Sequence, residues 1–129
     1  MFRLLVAGGR NYYNYKLIDE VLTEWLSEQN LDSQEITLVH GASHGVDRIA
    51  AQWAILNDLI PEPHEADWDR FGKSAGYRRN AEMIESGIDY AILFPGGNGT
   101  ANTRRQCVAN SIHFREVVDD ADEPVYTLY

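Results

Sequence analysis

A Rossmann-like, doubly wound α/β fold is predicted for this chain by three observations. Short β-rich runs alternate with helix-length amphipathic segments. Three of those runs stop at glycine-containing turns. No repeat, low-complexity tract or linker interrupts the alternation. Residues 2–7 (FRLLVA) form the first run and end at Gly8-Gly9-Arg10, and residues 36–40 (ITLVH) form the second and end at Gly41. Both read as buried parallel strands. Between them Leu17, Ile18, Val21, Leu22, Trp25 and Leu26 recur at helical spacing, and the polar cluster of residues 30–35 closes that helix.

The second helix is marked by Val46, Ile49, Ala50, Trp53 and Leu56. A third strand follows at residues 60–65, where Pro61 and Pro63 place it at a sheet edge or distort it. A third helix is expected over residues 74–86, a fourth strand over 90–94, and a fourth helix from Thr100. The tail, residues 124–128, reads as a last strand with residues 114–118 as its neighbour. Right-handed crossovers then favour a mainly parallel sheet in the order 3-2-1-4-5, with helices on both faces. The switch point falls between strands one and four, so their glycine turns meet at the carboxyl edge, where open α/β sheets bind ligands.

At 129 residues and 44% hydrophobic, the chain fits one domain, residues 1–129, with a real core. Cys107 is the single cysteine, so no intrachain disulfide forms, and no signal-like segment or long apolar span is seen. A cytoplasmic protein with no membrane association is expected. The formal net charge of −9 repels a polyphosphate backbone and makes nucleic acid an unfavourable partner, while leaving room for a small phosphorylated ligand in a local pocket. Glu116, Asp119, Asp120, Asp122 and Glu123 read as a solvated acidic loop. His40, His44, His64 and His113 fall at no metal-ligand spacing, and no Walker loop follows a strand, so no metal or cofactor is expected.

The most informative segment is Pro95-Gly96-Gly97-Asn98-Gly99-Thr100, a glycine turn between an apolar run and a helix. Such a turn offers backbone N–H groups and the positive end of a helix dipole, for which phosphate is the natural guest. The plain alternative is a connection in which glycine only makes the turn. On the same edge, Gly41-Ala42-Ser43-His44-Gly45-Val46-Asp47 brings a hydroxyl, an imidazole and a carboxylate to the start of helix two. Ser43 is either an N-cap or a ligand contact, Asp47 is favoured by the dipole in any case, and His44 is either a donor to the ligand or a surface histidine. The segment 67–80 mixes aromatics with four cations in an otherwise acidic chain. Trp68 there either stacks on a base or packs in the core, and Arg78 and Arg79 either pair with phosphate or form surface ion pairs.

Taken together, Gly8-Gly9-Arg10, His40-Gly41-Ala42, Gly45-Val46-Asp47, Ala66-Asp67-Trp68, Gly72, Ala75-Gly76, Arg79-Asn80, Met83 and the segment from Phe94 to Thr100 resemble the YspA-like branch of the SLOG superfamily. The resemblance spans nearly the whole chain. The superfamily also holds the lysine decarboxylase-like phosphoribohydrolases and the Smf/DprA proteins. It implies binding of a nucleotide or nucleotide-derived molecule at the carboxyl edge, and a place in bacterial or phage conflict systems. The phosphoribohydrolases carry an arginine in a motif similar to Arg79-Asn80-Ala81-Glu82-Met83, with lysine where Asn80 stands, and a glutamate three residues after the Gly-Thr pair. Here that later position is Thr103. N-ribosyl cleavage develops positive charge and needs an activated water, for which a carboxylate is suited and a threonine is not.

Three functions compete on this reading. The first is a nucleotide-binding sensor or sequestering module, its phosphate on Gly96, Gly97, Gly99 and Thr100, a second phosphate or a ribose near Gly9, Arg10 and Ser43, and Arg79 clamping the anion. The second is a phosphoribohydrolase-like enzyme that cleaves an N-glycosidic bond of a nucleotide or ADP-ribose derivative, with Asp47 and His44 as candidate acid–base groups. The third is a DNA-associated or purely interacting subunit. A homo-oligomer is compatible with a domain of this size, with Trp25 and Trp53 as core or interface residues.

Overall fold

The computed structural model describes residues 1–120, which form a five-stranded, all-parallel sheet in the order β3-β2-β1-β4-β5. The strands are β1 (Phe2–Ala7), β2 (Ile36–His40), β3 (Ile60–Pro63), β4 (Tyr90–Leu93) and β5 (Phe114–Glu116). The helices are α1 (Tyr15–Ser27), α2 (Val46–Leu56), the single turn α3 (Trp68–Phe71), α4 (Ala75–Glu85) and α5 (Asn98–Ala109).

Alternation along β1 assigns the two faces. Leu4 and Val6 pack with Ile18, Leu22 and Trp25 of α1 and with Ile49 and Trp53 of α2. Leu5 and Ala7 pack with Met83 and Ile84 of α4 and Cys107 of α5. The sheet is thus covered on both sides, as β-rich runs without polar alternation require. Trp25 and Trp53 are core residues, and the Trp53 indole N–H reaches Thr23 Oγ1 at 3.1 Å to join α2 to α1.

Helix α1 starts where Asn14 accepts a hydrogen bond from Leu17 N–H. Strand β3 lies at the sheet edge, where Pro61 and Pro63 lose no ladder donor to a further strand. Three expectations need correction. Helix α5 begins at Asn98, two residues before Thr100. The fifth strand is Phe114–Glu116 itself, paired directly with β4, while the expected tail strand at 124–128 lies outside the described residues. Asp119 is not solvated: it is buried and accepts hydrogen bonds from the Tyr12 hydroxyl and Asn14 Nδ2, tying the end of the described chain to the loop after β1.

Candidate functional site

A cleft of about 720 Å³ opens at the carboxyl edge between β1 and β4, and every predicted site residue except His44 lines it. Its floor is built by two loops that lock onto each other. Gly9 N–H donates to Pro95 O at 2.8 Å, and Gly9 O accepts from Val46 N–H at 3.2 Å. These approaches require glycine. A Cβ on Gly8 would sit 2.5 Å from Val46 Cγ2, and one on Gly96 would strike Thr100 Oγ1 and Gly9 N.

The start of α2 differs from the sequence expectation. Its N-cap is Gly45, at φ 72° and without a side-chain cap bond, so Ser43 is not the cap. Gly45 takes this position because a side chain there would collide with Gly9 O. Ser43 instead donates its backbone N–H to Asp47 Oδ2 at 3.2 Å. His44 turns away to a separate hollow of about 170 Å³ with Tyr13, Tyr15 and Arg48. Sequence adjacency to Ser43 concealed that rotation.

On the opposite wall, α4 presents Gly76, Arg79, Asn80 and Met83, the i, i+3, i+4, i+7 stripe of one helix face. Arg79 is held by two acceptors: its Nη1 donates to Gly41 O, and its Nε donates to Asn80 Oδ1 at 2.9 Å. A Cβ on Gly41 would lie 2.6 Å from that guanidinium. Asn80 is buried and donates through Nδ2 to Gly99 O and to Asn102 Oδ1. Arg78 faces outward, its guanidinium 4.3 Å from the centre of the Phe71 ring.

The third component is the start of α5. Its N-cap, Gly97, makes no side-chain cap bond. Ala101 N–H is the first to bond back into the helix, to Gly97 O. The N–H groups of Asn98, Gly99 and Thr100 therefore have no intrahelical acceptor, and all three residues line the cleft. Gly97 and Gly99 have open space where a side chain would project. The α2 start offers less: Val46 N–H is taken by Gly9 O, and Asp47 occupies the first turn.

Electrostatically, the cleft is cationic in an acidic protein. Among the described residues Arg10, Lys73 and Arg79 line it, and Asp47 is the one carboxylate that does. Burial pushes Asp47 up to about 6, against the opposing pull of the Ser43 and Gly41 backbone N–H groups, Arg79 and Arg10. Burial also lowers the pKa of Arg79, an effect that Asp47 counters and Arg10 reinforces. The pKa of His40, the last residue of β2, is lowered by burial and then by His64 and Arg79. Thr103 is buried, with its hydroxyl 3.2 Å from Gly99 O. Cys107 is buried, which pushes its thiol up to about 11, so it stays protonated and unreactive. Among the described residues no group of His, Cys, Asp and Glu is arranged to hold a metal ion, and no helix is long and apolar enough to cross a membrane.

Sequence reasoning did not single out Asn11, Tyr12, Lys73 or Tyr77, which also line the cleft. Lys73 lies in the turn before α4 and Tyr77 follows Gly76 in its first turn, and neither position marks a cleft residue until the orientation of α4 is known.

Fold and site define a Rossmann-like α/β domain with a glycine-lined, cationic cleft at its topological switch point. The chain belongs to the YspA, cpYpsA-related SLOG family, whose pattern matches residues 2–71. It is similar to the Gene 61 protein of Mycobacterium phage D29, at 32% identity over 131 residues that cover 96% of this chain and 100% of that protein. Its fold is similar to the X-ray structure of TM1055, with a TM-score of 0.67 at 14% identity over 88% of this chain and 72% of that one.

Proposed function

We propose that the cleft binds a nucleotide or nucleotide-derived ligand, and that the protein acts as a sensor or sequestering module. The observation that carries this reading is the uncapped α5 start at the switch point, with Arg79 and Arg10 lining the same cleft. A phosphate on residues 97–100 meets free N–H donors, the helix dipole and a guanidinium already fixed in place. The α2 start supports a ribose there rather than a second phosphate, because Asp47 already supplies a negative charge to that turn.

The test is isothermal titration with AMP, ADP, ATP, ADP-ribose, NAD and cyclic nucleotides against wild type and Gly97→Asp. Gly97 has space for a side chain, so the variant retains its fold and its carboxylate repels the phosphate. The expected result is at least a tenfold loss of affinity, about 1.4 kcal/mol. Unchanged affinity, or no binding across the panel, overturns the reading.

N-glycosidic hydrolysis is the second reading, favoured by one feature: Asp47 has a pKa of about 6, suited to acid–base work near neutrality. Against it, Thr103 fills the position where the phosphoribohydrolases carry glutamate. Release of free base from any nucleotide of the panel would establish hydrolysis in place of simple binding.

A further inference from the structure

Two large aromatic side chains line the cleft and are about half exposed among the described residues. Trp68 is 51% exposed and Tyr77 46% exposed, and both line the cavity. Their position is the informative point: Tyr13 and Tyr15 are just as exposed but lie outside this cleft, whereas Trp68 and Tyr77 line it together with Arg79. The third aromatic of the segment behaves otherwise: the Phe71 ring is flanked by the Arg70 and Arg78 guanidinium groups at 4.8 and 4.3 Å. Among the described residues Trp68 and Tyr77 have no such ring contact.

Gly76 explains how Trp68 is placed. A Cβ on Gly76 would lie 3.3 Å from Trp68 Cη2 and 3.9 Å from Arg79 Nη2. The indole edge therefore closes over a bare stretch of helix backbone, beside the Arg79 guanidinium on the same wall of the cleft. The short turn α3 is held by Asp67, which accepts from Arg70 N–H at 3.1 Å, and Gly72, at φ 55°, turns the chain into α4. Trp68 is thus fixed at both ends of its segment, with one side of the ring system left to the cavity. A flat unsaturated ring next to an anionic group is complementary to Trp68 and Arg79 together.

We infer that Trp68 and Tyr77 are the base-recognition wall of the cleft, and that they read the ligand by stacking on its heterocycle. The inference rests on the nucleotide-binding reading and adds where the base lies and how it is recognised. Stacking on a π-face discriminates base-bearing phosphates from sugar phosphates and inorganic anions, while tolerating different bases.

Tryptophan emission supplies a direct readout, because Trp25 and Trp53 are buried and Trp68 alone of the three tryptophans faces the cleft. AMP and ribose 5-phosphate are titrated into wild type, Trp68→Ala, Trp68→Phe, Tyr77→Ala and Gly97→Asp. In wild type, AMP quenches the emission and ribose 5-phosphate leaves it unchanged. Trp68→Ala weakens AMP by about 10- to 100-fold, the range of one lost base stack, and leaves ribose 5-phosphate unaffected. Trp68→Phe keeps most of the AMP affinity and loses the quench, and Tyr77→Ala weakens AMP less than Trp68→Ala does. The inference is overturned if Trp68→Ala leaves AMP affinity intact, or weakens both probes equally. Gly97→Asp separates the two levels: loss of both probes in that variant upholds the anion seat whatever Trp68 does. Intact binding of both probes there overturns the seat while leaving a Trp68 effect on AMP interpretable.

Discussion

At Asp47, burial and charge act in opposite directions. The carboxyl is 6% exposed, and burial outweighs two backbone N–H donors and two arginines, so its pKa rises from 3.8 to about 6. The folded protein holds this proton more tightly than the unfolded chain does. The resulting stability is complete below about pH 4 and is lost as the pH rises through about 6. Glu62 runs the other way. Hydrogen bonds from Arg3 and His64 lower its pKa to about 2, so its contribution is present above about pH 4.5 and is lost as the pH falls towards 2. The variant Asp47→Asn isolates the first effect, because the amide oxygen can still accept from Ser43 N–H but cannot ionise. Relative to wild type the variant gains stability between about pH 4 and pH 6, by on the order of 2–3 kcal/mol. Thermal denaturation of both proteins across that range checks this, and parallel profiles would refute the assignment.

At the level of elements, α4 and α5 are joined through one buried amide. Asn80 accepts from Arg79 Nε and donates to Gly99 O and Asn102 Oδ1, so the first turn of α5 and the guanidinium share a support. Asn80→Leu keeps the number and branching of side-chain heavy atoms and removes all three bonds, which strands buried polar groups at a cost of about 1–3 kcal/mol. A melting temperature lower by several degrees is expected for a domain of this size, and an unchanged one would show that the amide is dispensable. These joints explain what was legible beforehand. The helical period of α1, the two prolines of β3 and the alternation of strands and helices are local, and they lead to the observed 3-2-1-4-5 order. The glycine turns converged because that order is enough to bring β1 and β4 together. Illegible features depend on distant partners. Gly45 rather than Ser43 caps α2 because of Gly9 O, and Asp119 is buried because of Tyr12 and Asn14. Strand β5 lies within the 114–118 run read from the sequence, but three mostly exposed residues are too brief to mark it, rather than the tail, as the fifth strand. Tyr77 emerges only once the cleft-facing side of α4 is known.

Across the whole molecule the formal net charge is −9, while the described residues that line the cleft include three cations and one carboxylate. A phosphate approaching from a distance meets repulsion, and one that reaches the cleft meets fixed donors. Salt acts differently on the two parts. At about 0.1 M ionic strength charges more than about 10 Å apart are largely screened, while partly buried contacts are screened much less. Added salt therefore removes long-range repulsion along with some short-range attraction, and the two changes offset. A DNA-binding protein has no such compensation, since displacing counterions from 6–10 phosphates costs about 10³- to 10⁵-fold in affinity between 50 and 200 mM salt. For this protein, AMP affinity is expected to change by less than about tenfold over the same interval, as suits a single phosphate contact. A DNA duplex is expected to give no gel shift at the lower salt. Duplex binding at submicromolar concentration with a steep salt dependence would move the function from a small-molecule cleft to a nucleic-acid surface, despite the overall charge.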